Sequence, residues 1–293
     1  MATKEFMIDY RFIVPAGLAC TFVLLLVAEW FFPLRRRRRR FARRFVVNVC
    51  MTAMAFAVGS VSVRSVALAL AGWASEHSVG LSLIVPVPGV VRVVLGFVLM
   101  DLAFYYWHWL NHRVPVMWRF HNVHHLDPDM DVSTSFRFHF VEVLYSTAFR
   151  AVQVCLVGVV PVTYIAYEVV FQCATMFHHS NLRLPIRLER WLNMVFVTPR
   201  MHGIHHSVVR DETNSNYSVI FRWWDRLHGT LRLNVPQSAI DIGVAAYREQ
   251  ADNRLTDLFL LPFRAQRDYW LFSDGTVPRS GRVGESRTGE LLE

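Results

Sequence analysis

The sequence predicts an all-α, integral-membrane helical bundle of about four to five membrane helices with a cytoplasmic helical cap that carries histidine boxes. Three observations predict it. The 293 residues are 53% hydrophobic and only 18% charged, with 22 Phe and 9 Trp, too apolar for a disordered chain and too poor in charge for a coiled coil. Apolar runs of membrane-crossing length follow one another as far as Phe177. Eleven of the 13 histidines fall between His108 and His206, around and beyond the last of those runs. The net charge of +8 would suit a nucleic acid if it were evenly spread, but eight arginines lie within Arg35 to Arg44, wedged between two apolar runs. That placement points to a membrane surface, and no nucleic-acid partner is expected. Cys20, Cys50, Cys155 and Cys173 sit inside apolar stretches without paired spacing, so neither a disulfide framework nor a thiolate zinc site is implied.

The first span runs from Phe12 to Phe32, interrupted only by Glu29, and is long enough to cross a hydrocarbon layer of about 30 Å. A cleaved signal peptide would have a shorter apolar region and a small-residue cleavage site where Arg35 to Arg40 stand. The second span begins at Phe45 and reaches Val63, with an apolar continuation toward Trp73. The third starts near Val90 and ends in the aromatic run Phe104 to Trp109, an interfacial belt. Residues from Val141 to about Phe177 are too many for one span and carry Pro161 near their middle, which predicts a helical hairpin. The arginine loop places the intervening segment in the cytoplasm. Span three and the hairpin then return every later histidine to that side. The organisation expected is residues 1–113 as membrane helices, 114–140 as a cytoplasmic segment, 141–178 as the hairpin, 179–272 as the cap, and 273–293 as a flexible tail.

The chemistry lies in the histidines. His108 and His112 are four apart and share one helical face. His121, His124 and His125 follow H-x-x-H-H, and His202, His205 and His206 repeat it. His178 and His179 end the hairpin, and His139 stands alone before it. One H-x-x-x-H on an apolar helix is ordinarily a packed pair, and one H-x-x-H-H is ambiguous. Four such clusters on one membrane face are different, because each unpartnered buried polar group costs about 1–3 kcal/mol. A metal supplies the partners. Imidazole suits iron, zinc, copper or nickel, and so many rings suit two ions. Iron with dioxygen is the economical choice, since oxidising an unactivated C–H bond needs a redox metal. Asp101, two helical turns before His108, is a candidate to hold the far nitrogen of a ligating ring. Asp225, Glu142, Asp211 and Glu212 are weaker candidates for the same task.

These residues resemble the fatty acid hydroxylase and sterol desaturase superfamily of integral-membrane di-iron oxygenases. The resemblance covers Asp101 to Thr230. It rests on the Asp101–His112 block, HNVHH at 121–125, SFRFHFVE from Ser135 to Glu142, TPRMHGIHHS from Thr198, and NYSVIFRWWDRLHGT ending at Thr230. By position it implies His108, His112, His121, His124, His125, His179, His202, His205 and His206 as ligands of two iron ions, with His178 and His139 less certain and Asp101, His139 and Asp225 behind them. Trp109, Phe140 and His228 depart from the usual pattern, and Thr175 stands where some members carry a further histidine. The implied reaction is hydroxylation or desaturation of a lipid, fatty acyl, sterol or similar substrate with O2. The glycines form no dinucleotide or phosphate-loop motif, so a separate reductase with a ferredoxin or cytochrome-type carrier is expected to supply electrons. The arginine run is expected to meet anionic membrane lipid rather than that carrier. A histidine-rich metal transporter or sensor is the rival from another class, but it would string ligands across the bilayer midplane. A haem subunit would use one or two axial histidines and leave most unexplained.

Overall fold

The computed structural model describes residues 10–281 and Leu291. Among the described residues the chain is helical, with no β-strand and only isolated bridges. α1 (Tyr10–Phe31) leads through the arginine segment into α2 (Phe41–Gly59). A π-helical turn, Ser60–Arg64, joins α2 to α3 (Ser65–Glu76), so the second long helix continues well past Val63. The widened turn keeps its carbonyls partnered by hydroxyls: Ser62 Oγ donates to Val58 O at 2.7 Å and Ser65 Oγ to Ser60 O at 3.1 Å. A short α4 (Leu81–Ile84) precedes α5 (Gly89–Arg113), which is followed directly by α6 (Pro115–His125).

The hairpin is two helices, α7 (Phe140–Val157) and α8 (Pro161–His179). Gly158, at φ +73°, ends α7, and Pro161 occupies the first turn of α8, where a missing N–H costs nothing. α5 packs against both arms. α3 lies on α7, and its buried face is a row of small residues, Ala67, Ala71 and Ala74, that lets the backbones approach. Among the described residues, four stretches are long and apolar enough to cross a membrane: Ile13–Phe31, Phe41–Ile84, Gly89–Arg113 and Phe140–Val157. α8, with Glu168 ion-paired to Arg150 of α7 at 2.9 Å, is not among them. Side chains such as Leu24, Val27, Trp30 and Phe31 of α1 stay exposed, which suits lipid rather than water.

The two ends of the bundle differ. At one, the turns holding Gly80 (φ +102°) and Gly158 touch backbone to backbone: a Cβ on Gly80 would lie 2.4 Å from Gly158 Cα. At the other, α5 and α8 end beside α6 and the cap helices α9 (Ile186–Asn193), α10 (Pro199–His205), α11 (Arg210–Thr213), α12 (Trp223–Leu227) and α13 (Leu255–Leu260). Met130, Ile204, Val235, Ile240 and Ile242 form a cap core around α10. The arginine segment is tied to this end: the backbone N–H groups of Arg38 and Arg39 each donate to the Asp129 carboxylate at 2.7 Å. Of the tail expected to be flexible, residues 282–290 and 292–293 lie outside the described residues.

Candidate metal centre

Four helices bring histidines together. α5 carries His108 and His112 near its end, α6 ends in the first H-x-x-H-H box, α8 ends in His178 and His179, and α10 runs through the second box. Pro115, Pro161 and Pro199 each open the helix that delivers a box or pair. The rings sort into two adjacent groups, all buried: His108, His112, His121, His125 and His205 in one, His124, His179, His202 and His206 in the other. Within each group the candidate nitrogens lie within 4.8 Å of one another. The rings of His125 and His206 stack across the boundary at 4.3 Å.

Outward-facing nitrogens fix the orientation of four rings. Nδ1 of His108 donates to Tyr217 O at 2.7 Å, Nδ1 of His205 to Ser215 O at 2.7 Å, and Nδ1 of His179 to Thr175 O at 2.8 Å. Nδ1 of His121 donates to Glu142 Oε1 at 2.8 Å. An acceptor on Nδ1 leaves Nε2 as a lone pair turned inward. In the four-ring group, His179 Nε2 lies 3.0 Å from both His124 Nε2 and His202 Nε2, and His206 Nε2 lies 3.2 Å from His202 Nε2. Hydrogen bonds alone would make one N–H serve two acceptors there, whereas a cation satisfies all four nitrogens at once. In the five-ring group, both nitrogens of His112 and His125 and Nε2 of His121 and His205 are buried without a protein partner. Burial first, and neighbouring rings second, push His124, His125, His202 and His206 well below the ordinary imidazole range. They are therefore neutral at pH 7, the form that ligates. The donors are all imidazole, which fits iron among the first-row metals.

Three sequence expectations change. His139 joins neither group: its Nδ1 accepts from Val141 N–H at 3.2 Å as the cap of α7, and its Nε2 donates to Phe259 O at 3.1 Å. His178 also stands outside, with Nδ1 donating to Val219 O at 3.2 Å while its ring packs 4.1 Å from that of His202. Asp101 reaches no ligand ring. Its Oδ2 accepts from Trp224 Nε1 at 2.8 Å and Phe221 N–H at 3.1 Å, so it ties α5 to the cap. Seven residues place it on the right face of α5 but two turns too deep to meet a ring nitrogen. Asp225 acts at one remove: it accepts from the N–H groups of Tyr217 and Ser218 at 2.8 and 2.9 Å, holding the segment whose Tyr217 carbonyl receives His108. Glu212 is turned to Ser280, from which it accepts, and Asp211 and Glu212 belong to neither ring group.

Sequence reasoning underrated two acids. Glu142 is the direct carboxylate partner of His121. Glu29, read as an interruption of the first span, is fully buried, and its Oε2 accepts from Asn181 N–H at 2.7 Å and Val132 N–H at 3.1 Å. It anchors the chain directly after His179. A lone acid near the end of an apolar run was the available signal.

The fatty acid hydroxylase family model matches residues 93–230. The matched stretch contains every ring of both groups. The chain is similar to ornithine lipid hydroxylase OlsE of Rhizobium tropici, 32% identical over 157 residues covering 54% of this chain and 46% of that protein. It is 30% identical to cholesterol 25-hydroxylase of Homo sapiens over 145 residues, 48% of this chain and 51% of that one. It is 28% identical to alkylglycerol monooxygenase of Xenopus tropicalis over 137 residues, 46% of this chain and 29% of that one. The chain thus spans about half the length, or less, of these relatives. No solved structure matches it significantly.

Proposed function

We propose that the protein is a membrane oxygenase that uses dioxygen and externally supplied electrons to hydroxylate, or desaturate, a C–H bond of a lipid, fatty acyl chain, sterol or similar apolar molecule. The observation that carries this reading is the pair of adjacent, buried, all-imidazole groups in a chain with membrane-length helices. His108, His112, His121, His125 and His205 would hold one iron, and His124, His179, His202 and His206 a second. Iron bound there supplies the redox chemistry with dioxygen that an unactivated C–H bond demands.

The chain's own residues do the positioning. Glu142 and the carbonyls of Thr175, Ser215 and Tyr217 keep protons on the outer Nδ1 atoms, so the inner lone pairs need no reorganisation. Trp118, 5% exposed, lays its ring 4.7 Å from that of His112 and 5.2 Å from that of His125, excluding water from that side of the cage. The arginine segment shares an end with the histidines, which under the positive-inside rule supports a cytoplasmic side for both and for the cap. A separate reductase with a ferredoxin or cytochrome-type carrier would deliver electrons there. The relatives' names span an ornithine lipid, cholesterol and alkylglycerols, which supports a lipid substrate.

Purified protein should hold about two irons per chain and consume oxygen with lipid extracts. Lipid profiles of cells with and without the gene should differ by one added oxygen atom, or by two lost hydrogens for desaturation. Metal flux into liposomes without oxygen consumption would instead establish a transporter.

A further inference from the structure

A large cleft lies away from the histidine groups. It encloses about 1340 Å³ between the end of α1, the arginine segment, the stretch leading into α9, and the cap beneath α10. It exceeds the roughly 300–1,000 Å³ of small-ligand pockets. Its lining is both basic, with Arg35, Arg36, Arg37, Arg38, Arg183 and Arg200, and apolar, with Phe32, Leu34, Leu182, Leu184 and Ile186.

Its acids are already engaged. Asp129 accepts two backbone N–H groups from the arginine segment and Asp131 pairs with Arg44; Glu189, which does not line the cleft, pairs with Arg200. Arg38 is paired with Asp241. Arg37 lies 3.9 Å from Glu29 and Arg200 keeps Glu189, yet several guanidinium nitrogens still lack an acceptor. Nε and Nη2 of Arg35, Nε of Arg37 and Nε of Arg200 are buried without a hydrogen-bond acceptor. The Arg35 guanidinium bonds only through Nη1, to Gln237 Oε1 at 2.6 Å, while the Arg35 backbone is held by Asn181. Burial pulls its guanidinium down to about 10, against the partial support of Glu189. Buried guanidinium N–H groups without acceptors are costly, and a phosphate oxygen pair is the acceptor their fork geometry suits.

Position narrows the source of that phosphate. The first membrane-length stretch ends at Phe31, and the cleft begins at Phe32, so it opens at headgroup depth. An anion with no hydrocarbon would leave the apolar lining residues uncovered.

We propose that this cleft is a headgroup site for a phosphate-bearing anionic membrane lipid, with the phosphate against Arg35, Arg36, Arg37, Arg183 and Arg200 and the start of an acyl chain along Phe32, Leu34 and Leu182. The site is separate from the histidine groups and needs only that the chain sits in a membrane, so it stands or falls apart from the oxygenase reading.

The test uses full-length protein in phosphatidylcholine nanodiscs containing a minority of phosphatidylglycerol, with the anionic lipid retained per chain read by mass spectrometry after extraction into detergent. Arg36→Gln with Arg183→Gln removes two exposed rim charges; Arg40→Gln with Arg43→Gln removes the same charge from residues of the same segment that do not line the cleft. The first pair should weaken retention about 25-fold, fivefold for each arginine, and the second should leave it unchanged. Equal loss from both pairs would reduce the effect to general surface charge and overturn the site, as would no loss from the first. Inorganic phosphate should compete poorly; displacement of the lipid by phosphate at equal concentration would overturn the lipid assignment.

Discussion

The two H-x-x-H-H boxes have the same spacing and opposite allegiances. In α6, His121 and His125 enter the five-ring group and the middle histidine, His124, crosses to the other. In α10, His202 and His206 enter the four-ring group and the middle histidine, His205, crosses back. Helix geometry explains the pattern. At about 100° per residue, ring positions four apart diverge by roughly 40°, whereas the residue at i+3 lies roughly 60° to the other side of the first. A four-residue spacing therefore serves one group, and the i+3 member reaches its neighbour. The same rule accounts for the unequal totals. The five-ring group has two such pairs, His108 with His112 and His121 with His125, plus His205. The other has one pair, His202 with His206, plus His124 and His179, because Thr175 stands four residues before His179 and bonds its own helix at Phe171 O.

The largest effects come from the crossing residues. His124→Ala and His205→Ala each strip a group of the ring that reaches it from the opposite box, and each should cut turnover by about 100-fold or more while lowering bound metal. Full activity and full metal content in either variant would break the reciprocal arrangement. Unequal ligand numbers come next. His179→Ala leaves three rings in its group, whereas His112→Ala leaves four in the other. Metal counted by elemental analysis after dialysis against a chelator should fall by about one ion per chain in the first and by less in the second. Thr175→His should shift the first group toward five rings and slow its metal loss. Equal depletion by both alanine variants would mean that the groups are not independent sites.

Much of this centre was readable in advance because ligand spacing is local. The helix period alone puts His108 with His112 and His121 with His125, and the apolar runs place α1, α5 and α7. What spacing cannot carry is which helix faces which. Asp101 shares a stripe with His108, but depth along α5 sends it to Trp224. His139 falls in a motif-like stretch, yet the start of α7 takes its Nδ1 as a cap. Three of the four acceptors that orient the rings are backbone carbonyls, of Thr175, Ser215 and Tyr217, and a carbonyl has no residue-type signature.

Glu142, the one side chain among those acceptors, offers a more moderate test. Glu142→Ala should weaken metal binding in the five-ring group by about 10–100-fold. Glu142→Gln should recover much of it, because an amide oxygen still accepts from Nδ1 of His121. An alanine variant with unaltered metal affinity would show that burial alone holds the ring.

The smallest expected effect bears on the one position where the boxes must differ. The residue after the first histidine is Asn122 in α6 and Gly203 in α10, both buried. A Cβ on Gly203 would lie 2.2 Å from Nη1 of Arg35, the atom that bonds Gln237, whose own Nε2 donates back to Arg200 O at 3.1 Å. Glycine thus lets the arginine segment rest on the outer face of a metal-box helix. Because the clashing atom ends a flexible side chain, Gly203→Ala should displace the guanidinium rather than the helix, costing about 1 kcal/mol and lowering Tm by roughly 2–4 °C with metal content intact. Loss of metal from this variant would instead mean that the seat of Arg35 sets the position of His202 and His206, and that the α10 box, unlike the α6 box, depends on the arginine segment for its geometry.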